Sequence, residues 1–175
     1  MSKSSKNCGV LVVAVLGLAS CGKGGGSRAP SAPIPETAVA SVTFAEDSGS
    51  TKDVRQECGL QSKIPEWIAD NIEGVRPNAT AEGGRMLTLE ITHIDGAGGG
   101  AWTGPKRIAM TGMLTENGEI IGSFRAQRTS GGGMWGGYKG TCSILETCGE
   151  ELGEDVADWL RAPSEGAELG ELGDD

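Results

Sequence analysis

Apolar residues first gather between Val10 and Leu18, behind a polar start that carries Lys3 and Lys6. The run is too short for a permanent membrane helix of about 20 residues, and a basic start ahead of a short apolar stretch has the form of a secretion signal. Beyond it, residues 38–45 (Ala-Val-Ala-Ser-Val-Thr-Phe-Ala) are a short β candidate. Residues 62–73 predict a helix: Ser62 can cap it, Pro65 sits in the first turn, Ile64, Trp67, Ile68 and Ile72 fall on one face, and Gly74 can close it. Residues 86–94 alternate, which places Leu87, Leu89, Ile91 and His93 on one face and Thr88, Glu90 and Thr92 on the other. Two more strands, 107–115 and 119–128, flank Asn117-Gly118, a dipeptide whose access to positive φ favours a tight type I′ hairpin. The last helix, 143–161, repeats Leu145, Cys148, Leu152, Val156, Trp159 and Leu160 at steps of three and four until Pro163 stops it. The order β-α-β-β-β-α is that of an α+β domain: a mainly antiparallel four-stranded sheet with two helices on one face.

The apolar run at the start ends in Leu18-Ala19-Ser20-Cys21, which resembles the lipobox of bacterial lipoproteins: an aliphatic residue, two small residues and the cysteine that receives the lipid. The resemblance implies diacylglycerol on the Cys21 thiol, cleavage before Cys21, and acylation (palmitate) of the new amino terminus. Several acyl chains, each contributing about 0.8 kcal/mol per buried methylene, make a firm anchor that spans nothing. In enterobacterial-type lipoproteins a residue other than Asp after the cysteine, here Gly22, implies export to the outer membrane. Residues 1–20 are then the signal peptide. Residues 21–37, rich in Gly, Ser and Pro with little to bury, are a lipidated flexible tether. Residues 38–162 form the single domain. Residues 163–175, where Glu165, Glu168, Glu171, Asp174 and Asp175 meet three glycines and no base, are expected to be a disordered acidic tail.

Charge narrows the partners. Fifteen basic residues oppose 24 acidic ones in 175, and loss of Lys3 and Lys6 with the signal takes the net charge from −9 to −11. Such a chain is not expected to bind nucleic acid, where phosphate neutralisation needs a basic face. Thirty glycines, against about 12 at average usage, and an aromatic content of 4% point to long loops over a modest core.

Those loops carry the candidate chemistry. In an antiparallel meander, residues 96–106 and 129–140 emerge at the same edge, each with a triple glycine, a tryptophan and a lysine. Residues 85–140 hold six cations against four anions, so the sign of the charge reverses there. Trp102, Lys106, Arg128, Trp135, Tyr138 and Lys139 are therefore the candidate contact surface for an envelope protein, glycan or lipid headgroup, with rings supplying stacking area and cations meeting an anionic partner. The competing reading folds Trp102, Trp135 and Tyr138 back as lids over a small core. A phosphate-binding loop does not fit, since Pro105 interrupts the glycine-lysine order and the segment joins two strands.

Cys58, Cys142 and Cys148 remain for one disulfide in an oxidising compartment, with one thiol left over. Cys142 and Cys148 can pair if Cys142 precedes the first helical turn; Cys58 with either is the alternative. Zinc does not fit thiols without CxxC spacing or a fourth ligand. His93, alone of its kind, reads as a hydrogen-bonded structural residue on the buried face. A Ser/His/Asp set using Ser130 or Ser143 and Asp95 lacks a nucleophile turn. Glu150, Glu151, Glu154, Asp155 and Asp158 form a solvated helix face.

The run Tyr138 to Leu145, with Leu152-Gly153 and Asp155 to Leu160, is similar to a set of small proteobacterial lipoproteins of uncharacterised role. That similarity implies an envelope setting and no catalytic residues. The expectation is a non-enzymatic, outer-membrane-anchored periplasmic lipoprotein that binds or helps assemble an envelope component, without a cofactor or metal. The alternative is a periplasmic hydrolase using His93.

Overall fold

The computed structural model describes residues 33–81, 83–95, 105–130 and 140–172. In chain order these form β1 (Thr37–Val39), β2 (Thr43–Phe44), α1 (Lys52–Glu57), α2 (Leu60–Asn71), β3 (Val75–Pro77), β4 (Arg85–Asp95), β5 (Lys106–Glu116), β6 (Glu119–Ser130), α3 (Thr141–Trp159) and β7 (Ala167–Gly170). One mixed sheet runs β3-β1-β4-β5-β6-β7, with β2 pairing β4 beyond the end of β1. The expected sheet was four-stranded and mainly antiparallel. The observed one has seven strands and three helices, and β5 alone runs against the rest, because β1, β2, β3 and β7 all pair parallel with their neighbours.

The long central strands follow the sequence pattern closely. Leu87, Leu89, Ile91, Ile108, Met110, Leu114, Phe124 and Ala126 alternate toward the helices and are buried, while Thr88, Glu90 and Met113 face the other side. Asn117 and Gly118 both take positive φ, 52° and 88°, and close the β5–β6 turn as a type I′ hairpin requires. Phe124 lies across Gly112, its register partner on β5, and meets the edge of Trp159 with ring centroids 4.9 Å apart.

The helices sit closer together than their composition suggests. α3 presents Gly149 and Gly153, one turn apart, to Trp67 of α2; a Cβ on Gly153 would stand 2.8 Å from Trp67 Cβ. The expected start of the α2 helix at Ser62 moves to Leu60, so Pro65 lies inside it. Proline offers no N–H to the carbonyl four residues back, and that carbonyl, of Gln61, instead accepts from Val42 N–H at 2.9 Å. The proline thereby frees an acceptor that stitches α2 to the chain between β1 and β2.

Both ends of the domain extend past the expected limits. The tether assigned to 21–37 ends earlier: Ile34 N–H donates to Glu73 O, Ile34 packs partly on the core, and Thr37 is already buried in β1. Residues 38–45 divide into β1 and β2 instead of forming one strand. The acidic tail expected to be disordered contributes β7, paired parallel with Phe124–Gln127 of β6. Local repulsion was overruled because β6 supplies cations and backbone partners: Glu168 bonds Arg125, and the Glu171 carboxylate accepts from Thr129 N–H and Thr129 Oγ1, both at 2.8 Å.

Candidate functional site at the loop end of the sheet

The antiparallel β4–β5–β6 meander does bring the anchors of both glycine-rich loops together. Asp95 is opposite Arg107, and Lys106 is opposite Ser130. Trp102, Trp135, Tyr138 and Lys139 lie outside the described residues, as does Cys21. Of the six contact candidates the two described ones are not loop-side cations awaiting a ligand. Lys106 is buried, on the same face of β5 as Ile108 and Met110. Arg128 turns toward α3 and forms a two-pronged pair with Asp155, Nε to Oδ2 at 2.8 Å and the second guanidinium nitrogen to Oδ1 at 2.7 Å. Asp155, expected on a solvated helix face, has no local signal in the sequence that links it to a residue 27 positions earlier.

His93 also changes sides. The β4–β5 register shifts between Ile91 and His93, so Thr92 is accommodated as an irregularity and Ile94, not His93, continues the buried row. The His93 side chain is 43% exposed on the open face, with Nε2 2.9 Å from Asp95 Oδ1. An ionised carboxylate can only accept, so Nε2 carries the proton of this bond. Arg107 reaches the other oxygen, Oδ2, at 2.8 Å. The hydrogen bond from His93, helped by the charge of Arg107 against a smaller opposing cost of burial, holds the Asp95 carboxyl below the ordinary carboxylate range. The group is a cross-strand polar cluster whose carboxylate is already engaged on both oxygens. Among the described residues the partner found for His93 is Asp95, with no serine hydroxyl bonded to the ring.

The open face continues into a shallow hollow of about 320 Å³ lined by Thr43, Thr88, Glu90, Thr111 and Met113. Two of its hydroxyls turn back to the sheet, Thr43 Oγ1 to Leu89 O at 3.2 Å and Thr88 Oγ1 to Met113 O at 3.3 Å. Among the described residues no cluster of His, Cys, Asp and Glu has the arrangement of a metal site.

Behind the loop end stands the disulfide. It joins Cys58 to Cys142, with Cα atoms 4.9 Å apart, and leaves Cys148 as a buried free thiol. The pairing of Cys142 with Cys148 fails for a geometric reason. Thr141 already begins α3, so six helical residues separate the two by about 9 Å at 1.5 Å each, beyond the roughly 7 Å limit for a bridge. Burial pushes the Cys148 thiol up to about 11, and its Sγ lies 3.5 Å from Lys106 O.

No protein-family model and no curated protein matches the sequence. Several solved structures align with much of the chain at low identity. A PelC dodecamer from Paraburkholderia phytofirmans aligns over 73% of this chain and 92% of its own at 16% identity and a TM-score of 0.48. A protein of Xanthomonas campestris assigned to DUF330 aligns over 74% and 88% at 13% identity, TM-score 0.46. A minor lipoprotein of Acinetobacter baumannii aligns over 75% and 94% at 12% identity, TM-score 0.43.

Proposed function

We propose that the protein is an envelope lipoprotein, anchored through Cys21 in the outer membrane with its domain toward the periplasm, that acts without catalysis as a binding or assembly factor for another envelope component. The observation that carries the reading is the short apolar run ending in the lipobox-like Leu18-Ala19-Ser20-Cys21, followed by a Gly, Ser and Pro-rich stretch with little to bury. The Cys58–Cys142 disulfide supports an oxidising compartment. Among the described residues no helix is long and apolar enough to cross a membrane, which fits attachment by lipid. The hydrolase alternative finds no support among the described residues, where the His93 ring meets Asp95 and no serine hydroxyl.

Two measurements test the proposal. The wild-type protein should fractionate with membranes and carry lipid mass on its Cys21 peptide, and Cys21→Ala should abolish both; a membrane-bound Cys21→Ala protein without lipid refutes the anchor. Crosslinking in whole envelopes should then capture a specific component. Turnover of an envelope substrate that is lost in a folded His93→Ala variant would replace the binding role with the hydrolase.

A further inference from the structure

An edge strand offers a row of unpaired N–H and C=O groups that an extended segment can complete, with alternate side chains supplying selectivity. β6 has twelve residues, and β7 covers only Phe124 to Gln127 on its outer side. The way this short segment is held describes a receptor. Ser123 N–H donates to Ser164 O, Gly166 N–H to Ser123 Oγ, and Glu171 N–H to Gln127 O, at 3.0–3.1 Å. Acidic side chains on one side meet Arg125 and the Thr129 N–H and hydroxyl, while Ala167 and Leu169 pack partly on the core. Gly170 is required by the edge itself: its φ is +64°, and a Cβ there would lie 2.4 Å from Gln127 O.

The seat is larger than its occupant. Between β7 and the end of α3 an open cleft of about 320 Å³ is lined by Arg128, Asp155, Trp159, Leu169 and Gly170 among others. Trp159 is 7% exposed, and among the described residues its buried Nε1 has no hydrogen-bond partner. Leu169 lines the cleft without closing it.

We propose that the outer edge of β6, with this cleft, is an acceptor site for an extended acidic segment of a partner protein, and that the chain's own residues 164–172 occupy it in cis as a replaceable stand-in. The segment it fits runs parallel to β6 with the pattern small, acidic, large apolar, glycine, acidic. Charge supports that choice of occupant: in a chain of net charge −9, β6 presents Arg125 beside the acid-binding Thr129 backbone. The inference deepens the binding reading by giving it a surface, but it concerns the edge itself and stands or falls apart from Cys21 lipidation.

The test uses the full chain and the synthetic peptide Ser-Glu-Gly-Ala-Glu-Leu-Gly-Glu-Leu, the sequence of residues 164–172. Gly170→Val in the chain should expel β7, seen as faster amide exchange at Phe124–Gln127 with the near-ultraviolet spectrum retained. That variant should bind the peptide at least about tenfold more tightly than the wild-type chain, in which the tethered strand competes at a high effective concentration. A peptide carrying the same valine should not bind, and one with Trp in place of the Leu169 equivalent should bind more tightly by filling the cleft. A folded Gly170→Val chain with an exposed edge and no affinity for the peptide overturns the proposal, as does unchanged exchange protection at Phe124–Gln127. Self-association of that variant which the peptide cannot reverse overturns it too, and makes a second copy the occupant. Should Gly170→Val not fold, a full chain with a protease site inserted after Pro163 decides the matter: after cleavage the freed segment is washed out and added back, and failure to rebind overturns the proposal.

Discussion

Replacing Cys142 with Ser opens a link between residues 84 apart in sequence, and the size of the effect follows from that separation. Closing a loop of this length removes about 15 cal/mol/K of entropy from the unfolded chain in the loop-closure treatment, or roughly 4.5 kcal/mol at 25 °C. Domains of this size have total stabilities of about 5–15 kcal/mol, so the loss is a large share of the whole. Cys142 is the better member to change, because Cys58 is fully buried whereas Cys142 is only partly so, and its replacement adds little packing loss. With a urea slope of about 2 kcal/mol/M the midpoint should fall by about 2 M. The assay is equilibrium urea unfolding of wild type, Cys142→Ser and Cys148→Ser, each with and without reductant. Reductant should reproduce the loss in wild type and in Cys148→Ser, and should leave Cys142→Ser unchanged. A Cys142→Ser protein within about 0.5 kcal/mol of wild type, or one that reductant destabilises further, refutes the Cys58–Cys142 assignment and the entropic argument with it.

Gly153→Ala should lower stability by about 1 kcal/mol, since a helix-propensity gain of about 1 kcal/mol is outweighed by roughly 1–3 kcal/mol of overpacking against Trp67; an urea midpoint above wild type refutes the close α2–α3 approach. Arg128→Ala leaves the Asp155 carboxylate, only 18% exposed, without its two-pronged partner, and should cost about 2 kcal/mol. A double-mutant cycle with Asp155→Ala should return a coupling of at least 1 kcal/mol, and additive losses would show the pair to be incidental. Burial raises the Glu171 carboxyl, but hydrogen bonds from Thr129 outweigh it and hold the group below its ordinary value of 4.5. A carboxyl lowered on folding stabilises the docked β7 above that value, and the contribution drains away as pH falls through the lowered one. Protection of the Gly170 and Glu171 amides, taken relative to the intrinsic exchange rate at each pH, should therefore fall below about pH 4 in wild type and fall less in Glu171→Gln; identical profiles refute the Glu171 clamp.

The residues themselves show where sequence reading reaches. The alternation of Leu87, Leu89 and Ile91, the Asn117-Gly118 turn and the three-four spacing from Leu145 to Leu160 are local patterns, and the strands and helix they predict stand within a few residues of their expected bounds. The strand and helix periods repeat often enough to define a buried face before any partner is known. The remainder depended on what those faces met. β2, β3 and β7 have two to four residues, too few to show a period, and exist because a neighbouring edge completes their hydrogen bonds. One irregularity at Thr92 reversed the side of His93, which no alternation count can foresee. Arg128 found Asp155, Glu168 found Arg125, and Cys58 found Cys142 across 27, 43 and 84 residues. The long elements and their apolar faces are thus legible in the order of residues alone. The sheet edges, the sidedness beyond the bulge and the partners of Arg125, Arg128 and Cys58 are not, because those depend on distances that close only when the chain is folded.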